Sequence, residues 1–283
     1  MNGRKILKAV GVILLVVVLP LVAGYFVSLH AVPTPQVAII RVEGDIWSYY
    51  TAYVHDALEK AEADPAVRAV VLDITSPGGE VTASEDLYFD ILKLRESKPV
   101  IASVRELAAS GAYYIASAAD LIYAKPASEV GNIGVISYLP DADLVDEYLL
   151  TTGPFKLSGG PQVTYLPKLE MLKDTFIAAI LAQRADRLTV GPEVLSRGEI
   201  YLGLQAQKMG LVDELGSLAD ATTAAAQMAR IRHYRVVDRS PELPEEALLF
   251  ELTFRRGSTA ATVADAPKNL PPGFYYRYIE PAQ

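Results

Sequence analysis

Glu106-Leu107-Ala108-Ala109-Ser110-Gly111-Ala112-Tyr113-Tyr114-Ile115-Ala116-Ser117 follows a short apolar stretch, Pro99 to Val104, and surrounds one serine with small residues. Small side chains let a backbone turn tightly from strand into helix and leave a hydroxyl at the turn. Upstream, Thr75-Ser76-Pro77-Gly78-Gly79-Glu80 marks a second tight turn after a second apolar run, Val67 to Ile74. A hydroxyl at a helix start, beside a glycine turn able to offer backbone N–H groups, is the layout of a nucleophile and an oxyanion hole.

Working outward, Val37 to Val42 reads as a buried strand and Ser48 to Ala63 as a helix, with Tyr50, Val54, Ala57 and Leu58 on one face. Thr82 with Glu85 three residues on predicts a capping box opening a helix to about Arg95. Pro99 to Val104 is the next strand, followed by the Ser110 helix and a short strand, Leu121 to Ala124. Gly131 to Ile136 reads as a Gly-punctuated strand, Asp141 to Leu150 as a short helix, residues 151–156 as a turn, and Leu166 to about Leu188 as the longest helix after the N-terminal segment. The stretch from Tyr201 to Gly216 joins a helix to a buried strand. The tail from about Ser240 to Gln283 is Pro-rich and poorly patterned, and reads as an extension. Apolar strands alternating with amphipathic helices predict an α/β fold with a parallel sheet covered on both faces. In such sheets sites lie at the carboxyl ends of strands, where both the Gly78-Gly79 turn and Ser110 fall.

The chain has 283 residues, no cysteine and three histidines, His30, His55 and His233. Disulfides, thiolate metal sites and cysteine catalysis are thereby excluded, and three dispersed histidines make no zinc site. The scarcity of histidine directs attention to lysine as a base. The first acidic residue is Glu43, so all 34 acidic residues lie beyond the N-terminal segment. No basic patch with interleaved aromatics appears, which argues against nucleic-acid binding.

Ala9 to Val27 carries no charged residue and would span about 28 Å as a helix, against a hydrocarbon core of about 30 Å. Arg4, Lys5 and Lys8 precede it, so the positive-inside rule predicts a cytoplasmic N-terminus and an extracytoplasmic remainder. A cleaved signal peptide is the competing reading. It would have a shorter apolar core, and Ser28-Leu29-His30-Ala31 matches a cleavage site poorly. Pro20 within the span is tolerated in membrane helices. The organisation expected is a basic N-terminus (1–8), an anchor (9–27), a linker (28–36), a globular domain (37–239) and a C-terminal extension (240–283).

Thr75-Ser76-Pro77-Gly78-Gly79, Ala109 to Ala116, Gly131-Asn132-Ile133-Gly134-Val135-Ile136, Thr152-Gly153-Pro154-Phe155-Lys156 and Gly203-Leu204-Gln205-Ala206 to Gly216 together resemble the membrane-anchored signal peptide peptidase A family. These are serine proteases of the Clp/crotonase fold, a repeated β-β-α superhelix with a parallel sheet. The resemblance covers roughly residues 37–230. It implies a Ser/Lys dyad in which Ser110 is the nucleophile and Lys156 the general base, with the amides of Gly79 and Gly111 as the oxyanion hole. Where the family carries a serine that orients the lysine amine, this chain has Asn132, whose amide can accept the same hydrogen bond. The resemblance further implies peptide substrates such as remnant signal peptides, a homo-oligomer with sites at subunit interfaces, and neither metal nor cofactor.

A lysine base must be desolvated to lose its proton at neutral pH, and Pro154, Phe155 and Leu157 are apolar neighbours suited to that. Plainer readings stand beside these. Ser110 also suits helix–sheet packing, Lys156 a surface turn, and Asp213-Glu214 a strand end. A triad of Ser110 with His55 and Asp120 is the other nucleophilic arrangement. A catalytically inactive membrane scaffold and a crotonase-type acyl-CoA enzyme are the rival functions; the apolar span argues against the latter.

Overall fold

The computed structural model describes residues 3–31, 33–138, 152–153, 155–156, 159–244 and 273–278. They fall into two units, one up to Pro35 and one from Gln36 onward. In the first, α1 (Gly3–Ile13) runs into a π-helical stretch (Leu14–Val18) and then α2 (Leu19–Ala31), where the sequence predicts one unbroken helix over Ala9 to Val27. Pro20 accounts for the interruption. It has no N–H, and its ring crowds the carbonyl four residues back, that of Val16. The π-turn absorbs this by directing the Leu19 amide to the Leu14 carbonyl, five residues back. Among the described residues no helix is long and apolar enough to cross a membrane.

In the second unit the elements follow in the order β1 (Gln36–Glu43), α3 (Ser48–Ala63), β2 (Val67–Ser76), β3 (Gly78–Glu80), α4 (Val81–Arg95), β4 (Val100–Ala109), α5 (Gly111–Ser117), β5 (Leu121–Ala124), β6 (Glu129–Gly131) and β7 (Ile136–Tyr138). Then come α6 (Tyr165–Arg184), α7 (Pro192–Leu195), β8 (Ile200–Leu202), α8 (Gly203–Lys208), β9 (Glu214–Leu215), α9 (Leu218–Met228), β10 (Arg235–Asp238) and β11 (Gly273–Arg277). The main sheet has the order β10-β1-β2-β4-β5-β9 with all pairs parallel; β6 lies parallel to β4 and carries β8 antiparallel.

The near-continuous apolar strands follow from burial on both faces. In β2, Val70, Leu72 and Ile74 point into the larger core with Val54 and Leu58 of α3, Leu87 and Ile91 of α4, Tyr113 of α5 and Phe176 of α6. The alternate residues, Ala69 and Val71, face the other way, against Ala221, Ala224 and Ala225 of α9. Alanines there let the helix approach the sheet closely.

α6 is fastened by Arg184, whose side chain is fully buried. Its guanidinium donates to Asp213 at 3.0 and 3.1 Å and to the Gly210 carbonyl at 2.9 and 3.1 Å. Asp213 also accepts Arg187 at 3.1 Å and the Ile122 amide at 2.7 Å, so Arg184→Ala leaves that carboxylate paired but strands the Gly210 carbonyl, and should cost about 1–3 kcal/mol of stability. Urea unfolding of the full chain checks this.

Three local expectations are corrected. The Thr82–Glu85 capping box does not form: α4 starts at Val81 with Glu80 as its N-cap and no side-chain cap. The Glu80 carboxylate instead accepts the Ser48 amide at 2.8 Å, a free donor at the start of α3, together with the Ser48 hydroxyl. The single strand over Gly131 to Ile136 is two strands, β6 and β7, because Gly131 (φ 118°) and Asn132 (φ 51°) turn the chain out of the ladder. The tail contributes an ordered strand, β11, to a second sheet of order β3-β11-β7. The helix expected over Asp141 to Leu150 lies outside the described residues.

Candidate active site

β4 ends at Ala109 and α5 begins at Gly111, so Ser110 alone makes the junction. Its backbone has φ 53° and ψ −121°. That combination lies outside the left-handed helical region and costs a side-chain-bearing residue about 1–3 kcal/mol, so it persists only where the surroundings enforce it. The Ser110 N–H donates to the Gly131 carbonyl at 2.8 Å, and its carbonyl accepts the Tyr114 N–H at 2.9 Å. Ala108, Ala109, Ala112, Tyr113 and Ile115 around it are fully buried, and Ser110 itself is 1% exposed. Its hydroxyl caps nothing.

The Gly78-Gly79 turn is held equally firmly. The Gly78 amide donates to Ser76 Oγ at 3.1 Å, its carbonyl accepts the Ile46 amide at 2.9 Å, and the Glu80 amide donates to the Ile46 carbonyl at 2.8 Å. A Cβ on Gly79 would stand 2.0 Å from the Ile46 oxygen, so only glycine fits. A Cβ on Gly78 would stand 2.7 Å from the Gly111 amide nitrogen and 2.0 Å from the Tyr276 oxygen. The glycine turn, the Gly111 amide and the Tyr276 carbonyl therefore converge beside Ser110.

Tyr276 belongs to β11, which sequence reasoning missed. The strand is antiparallel to β3, with Tyr276 opposite Gly79, and antiparallel to β7 on its other side. The Tyr278 amide donates to the Pro77 carbonyl at 2.7 Å. Hydrogen-bonded pairs alternate along an antiparallel ladder, so the Tyr276–Gly79 pair is bonded too, which directs the Gly79 amide at the Tyr276 carbonyl. The Tyr276 ring is fully buried, stacks on Tyr114 at 5.4 Å between centroids and lies 4.7 Å from Phe176; its hydroxyl donates to the Leu172 carbonyl at 3.1 Å. The available sequence signal was the aromatic run Phe274-Tyr275-Tyr276, rich in strand-forming residues, inside an otherwise unpatterned tail.

Of the residues singled out from the sequence, the structure brings Ser110, Gly79 and Gly111 together and sets Asn132 next to Gly131, the partner of Ser110. The Asn132 Nδ2 donates to the Gly198 carbonyl at 2.8 Å. Its identity has a backbone reason as well, since asparagine tolerates positive φ. Lys156 is an exposed turn residue that no hydrogen bond or ion pair joins to a described residue, and its neighbour Phe155 is 47% exposed rather than forming an apolar wall. Pro154 and Leu157 lie outside the described residues. His55 and Asp120 are engaged elsewhere. His55 pairs with Asp90 at 2.7 Å on the surface of α3 and α4, and that hydrogen bond raises its pKa above the usual imidazole value. Asp120 pairs with Arg95 at 3.0 Å and accepts the Val100 amide. Among the described residues no cluster of metal-binding side chains occurs.

A strained serine between a parallel strand and a helix, faced by glycine amides, is an arrangement suited to a nucleophile with an oxyanion hole, and comparison with known proteins gives the family. The model of peptidase family S49 matches residues 93–148, the segment that contains Ser110. A protein named as a protease in Methanocaldococcus jannaschii is 34% identical over 225 residues, covering 72% of this chain and 70% of that one. Protease 4 of Haemophilus influenzae is 31% identical over 218 residues, 70% of this chain but 35% of that longer one. Among solved structures, a membrane-bound stomatin-specific protease in a serine-to-alanine form aligns with a TM-score of 0.54 at 20% identity, covering 75% of this chain and all of that one. Its lysine-to-alanine form in complex with a substrate peptide aligns with a TM-score of 0.53 at 19% identity, covering 78% of this chain and 98% of that one. The chain belongs to peptidase family S49 and shares the α/β fold of these proteases.

Proposed function

We propose that this protein is a membrane-anchored serine endopeptidase that degrades remnant signal peptides or other short apolar peptides. The observation that carries the reading is the backbone of Ser110, a strained conformation in a fully packed turn with the Gly79 and Gly111 amides alongside. Ser110 Oγ attacks the peptide carbonyl and loses its proton to the Lys156 amine. The two glycine amides hold the oxyanion, and the lysine returns the proton to the departing amine. Water then hydrolyses the acyl-enzyme by the same path. Lys156 is exposed in the single chain, and in our reading it reaches a Ser110 within a homo-oligomer.

Residues 9–27 serve as a single-pass anchor, with the N-terminus cytoplasmic and the catalytic domain outside. The side chains described from Val10 to Tyr25 are exposed and almost all apolar. The proposal is tested by digesting a panel of signal peptides with the full-length protein in detergent. Cleavage by the wild type that is absent in Ser110→Ala supports it; cleavage surviving in Ser110→Ala refutes it. A second reading, a peptide-binding scaffold, draws on the exposure of Lys156, and binding of the same peptides without cleavage would favour it.

Asn132 in this scheme orients the lysine amine through its Oδ1, its Nδ2 being occupied by Gly198. Asn132→Gly relieves the positive φ yet removes the acceptor. It should keep a similar melting temperature, the relieved strain offsetting the lost Nδ2 bond to Gly198, while losing about 10- to 100-fold in rate, the equivalent of one oriented hydrogen bond to the amine as it takes up charge, about 1.5–3 kcal/mol. Asn132→Ser should retain or raise the rate. Rates measured on one fluorogenic peptide distinguish this from a role in the turn alone, for which Asn132→Gly would match the wild type.

A further inference from the structure

The chemistry at Ser110 leaves unused a groove of about 400 Å³ between α3 and α4, lined by Ser48, Thr51 and His55 on one side and Asp86, Phe89 and Asp90 on the other. Past His55 and Asp90 it continues to Glu59, Glu62 and Lys93. At its other end Ser48 also lines a second cavity, of about 350 Å³, which includes Glu80 and Glu85 and so reaches the residue next to the Gly79 amide. The track is acidic. Glu80 is engaged by Ser48, Asp90 by His55 and Glu62 by Lys93 at 3.4 Å. Among the described residues Glu85 and Asp86 are joined to no donor and no cation, and burial, with the Asp86 charge alongside, raises the Glu85 pKa. Between Asp86 and Asp90, Phe89 is held edge-on against Tyr88 and presents a ring that is 61% exposed. A ring flanked by carboxylates suits a guanidinium or ammonium over its face.

We infer that the α3–α4 groove docks the basic segment that precedes the apolar core of a signal peptide, with Asp86 and Asp90 pairing its cations and Phe89 stacking one of them. The inference rests on the peptidase reading of Ser110 and names which of its substrates are favoured. Charge complementarity carries it. Signal peptides begin with a positively charged stretch followed by an apolar one, and a cleft lined by one sign of charge concentrates ligands of the other. Continuity supports it, because the groove meets at Ser48 the cavity that reaches β3. Length fits as well. From Ser48 to Glu62 the groove follows α3 for about 21 Å, room for about six extended residues. A short apolar peptide without the basic stretch reaches Ser110 without this anchor.

The test uses the full-length protein in detergent and three internally quenched peptides that share one apolar core and begin with Lys-Arg-Lys, Gln-Asn-Gln or Glu-Asp-Glu. The wild type should cleave the basic peptide with kcat/KM about tenfold above the neutral one, the difference lying in KM, and about 0.5 M NaCl should remove most of it. The double variant Asp86→Lys, Asp90→Lys should invert the order of the basic and acidic peptides, which a loss of structure alone would not do. Phe89→Ala should raise KM for the basic peptide severalfold more than for the neutral one. Equal KM for the basic and neutral peptides on the wild type, or a basic preference that survives in the double variant, would overturn the inference. Fluorophosphonate labelling and fluorescence anisotropy separate the two levels. If Ser110 is labelled and all three peptides are cleaved with equal KM, only this inference fails. If Ser110 is unreactive and no peptide is cleaved, the peptidase reading fails, and anisotropy decides on the groove: salt-sensitive tighter binding of the basic peptide upholds the docking site, and equal binding of the three overturns it.

Discussion

Ser110→Ala should lower peptide hydrolysis by about 10⁴-fold or more while leaving the fold intact. The methyl group fits a site walled by Ala108, Ala109 and Ala112, and no hydrogen bond of the hydroxyl is given up. Lys156→Ala should lose a similar factor, and the double variant little more, because nucleophile and base act as one unit. Stability tells a second part of the story. Alanine keeps the strained φ of 53°, whereas Ser110→Gly relieves a cost of about 1–3 kcal/mol, offset by roughly 0.5–1 kcal/mol of extra chain entropy. Ser110→Gly should therefore melt above Ser110→Ala although both are inactive. A serine kept where glycine would be more stable is what a nucleophile requires, and differential scanning calorimetry of the pair measures it.

Gly79→Ala should be nearly as damaging, by a different route. Its Cβ would lie 2.0 Å from the Ile46 oxygen and 2.6 Å from the Ile46 carbonyl carbon and nitrogen, all backbone atoms that no rotamer change can move. β3 would have to shift away from the Ile46 segment, carrying the Gly79 amide out of line. Overpacking of this kind costs about 1–3 kcal/mol of stability, and loss of one oxyanion donor about 10²- to 10³-fold in kcat. The distinguishing result is a fall in kcat with little change in KM at a temperature where the variant is still folded. A change confined to KM would mean that Gly79 touches the substrate without holding the oxyanion.

The parallel sheet was legible because its strands are apolar on both faces and end at glycine or small-residue turns. β1, β2, β4 and β5 lie where Val37–Val42, Val67–Ile74, Pro99–Val104 and Leu121–Ala124 place them, and α3 has the bounds read from the sequence. Ser110 and the Gly78-Gly79 turn were legible for the same reason, since tight turns at strand ends restrict composition. What escaped is held together by contacts remote in the chain. β11 pairs with residues nearly two hundred positions away, and a five-residue strand carries too little local pattern to announce such a partner. The Asp45–Arg277 pair is likewise invisible until the fold brings 45 and 277 together. The Thr82 capping box failed because a distant donor, Ser48, claimed Glu80 and the helix began two residues earlier, with Glu80 as its N-cap. Lys156 depends on the surroundings of an exposed turn, which spacing along the chain does not encode.

The central claim is that Ser110 is an activated nucleophile. Full-length protein reacted with a fluorophosphonate and mapped by peptide mass spectrometry should carry one adduct, on Ser110, with peptide hydrolysis lost in proportion to labelling. The Lys156→Ala protein, folded but lacking the base, should react far more slowly. Hydrolysis that continues after Ser110 is fully modified, or an adduct on another residue that tracks the loss of activity, would contradict the account.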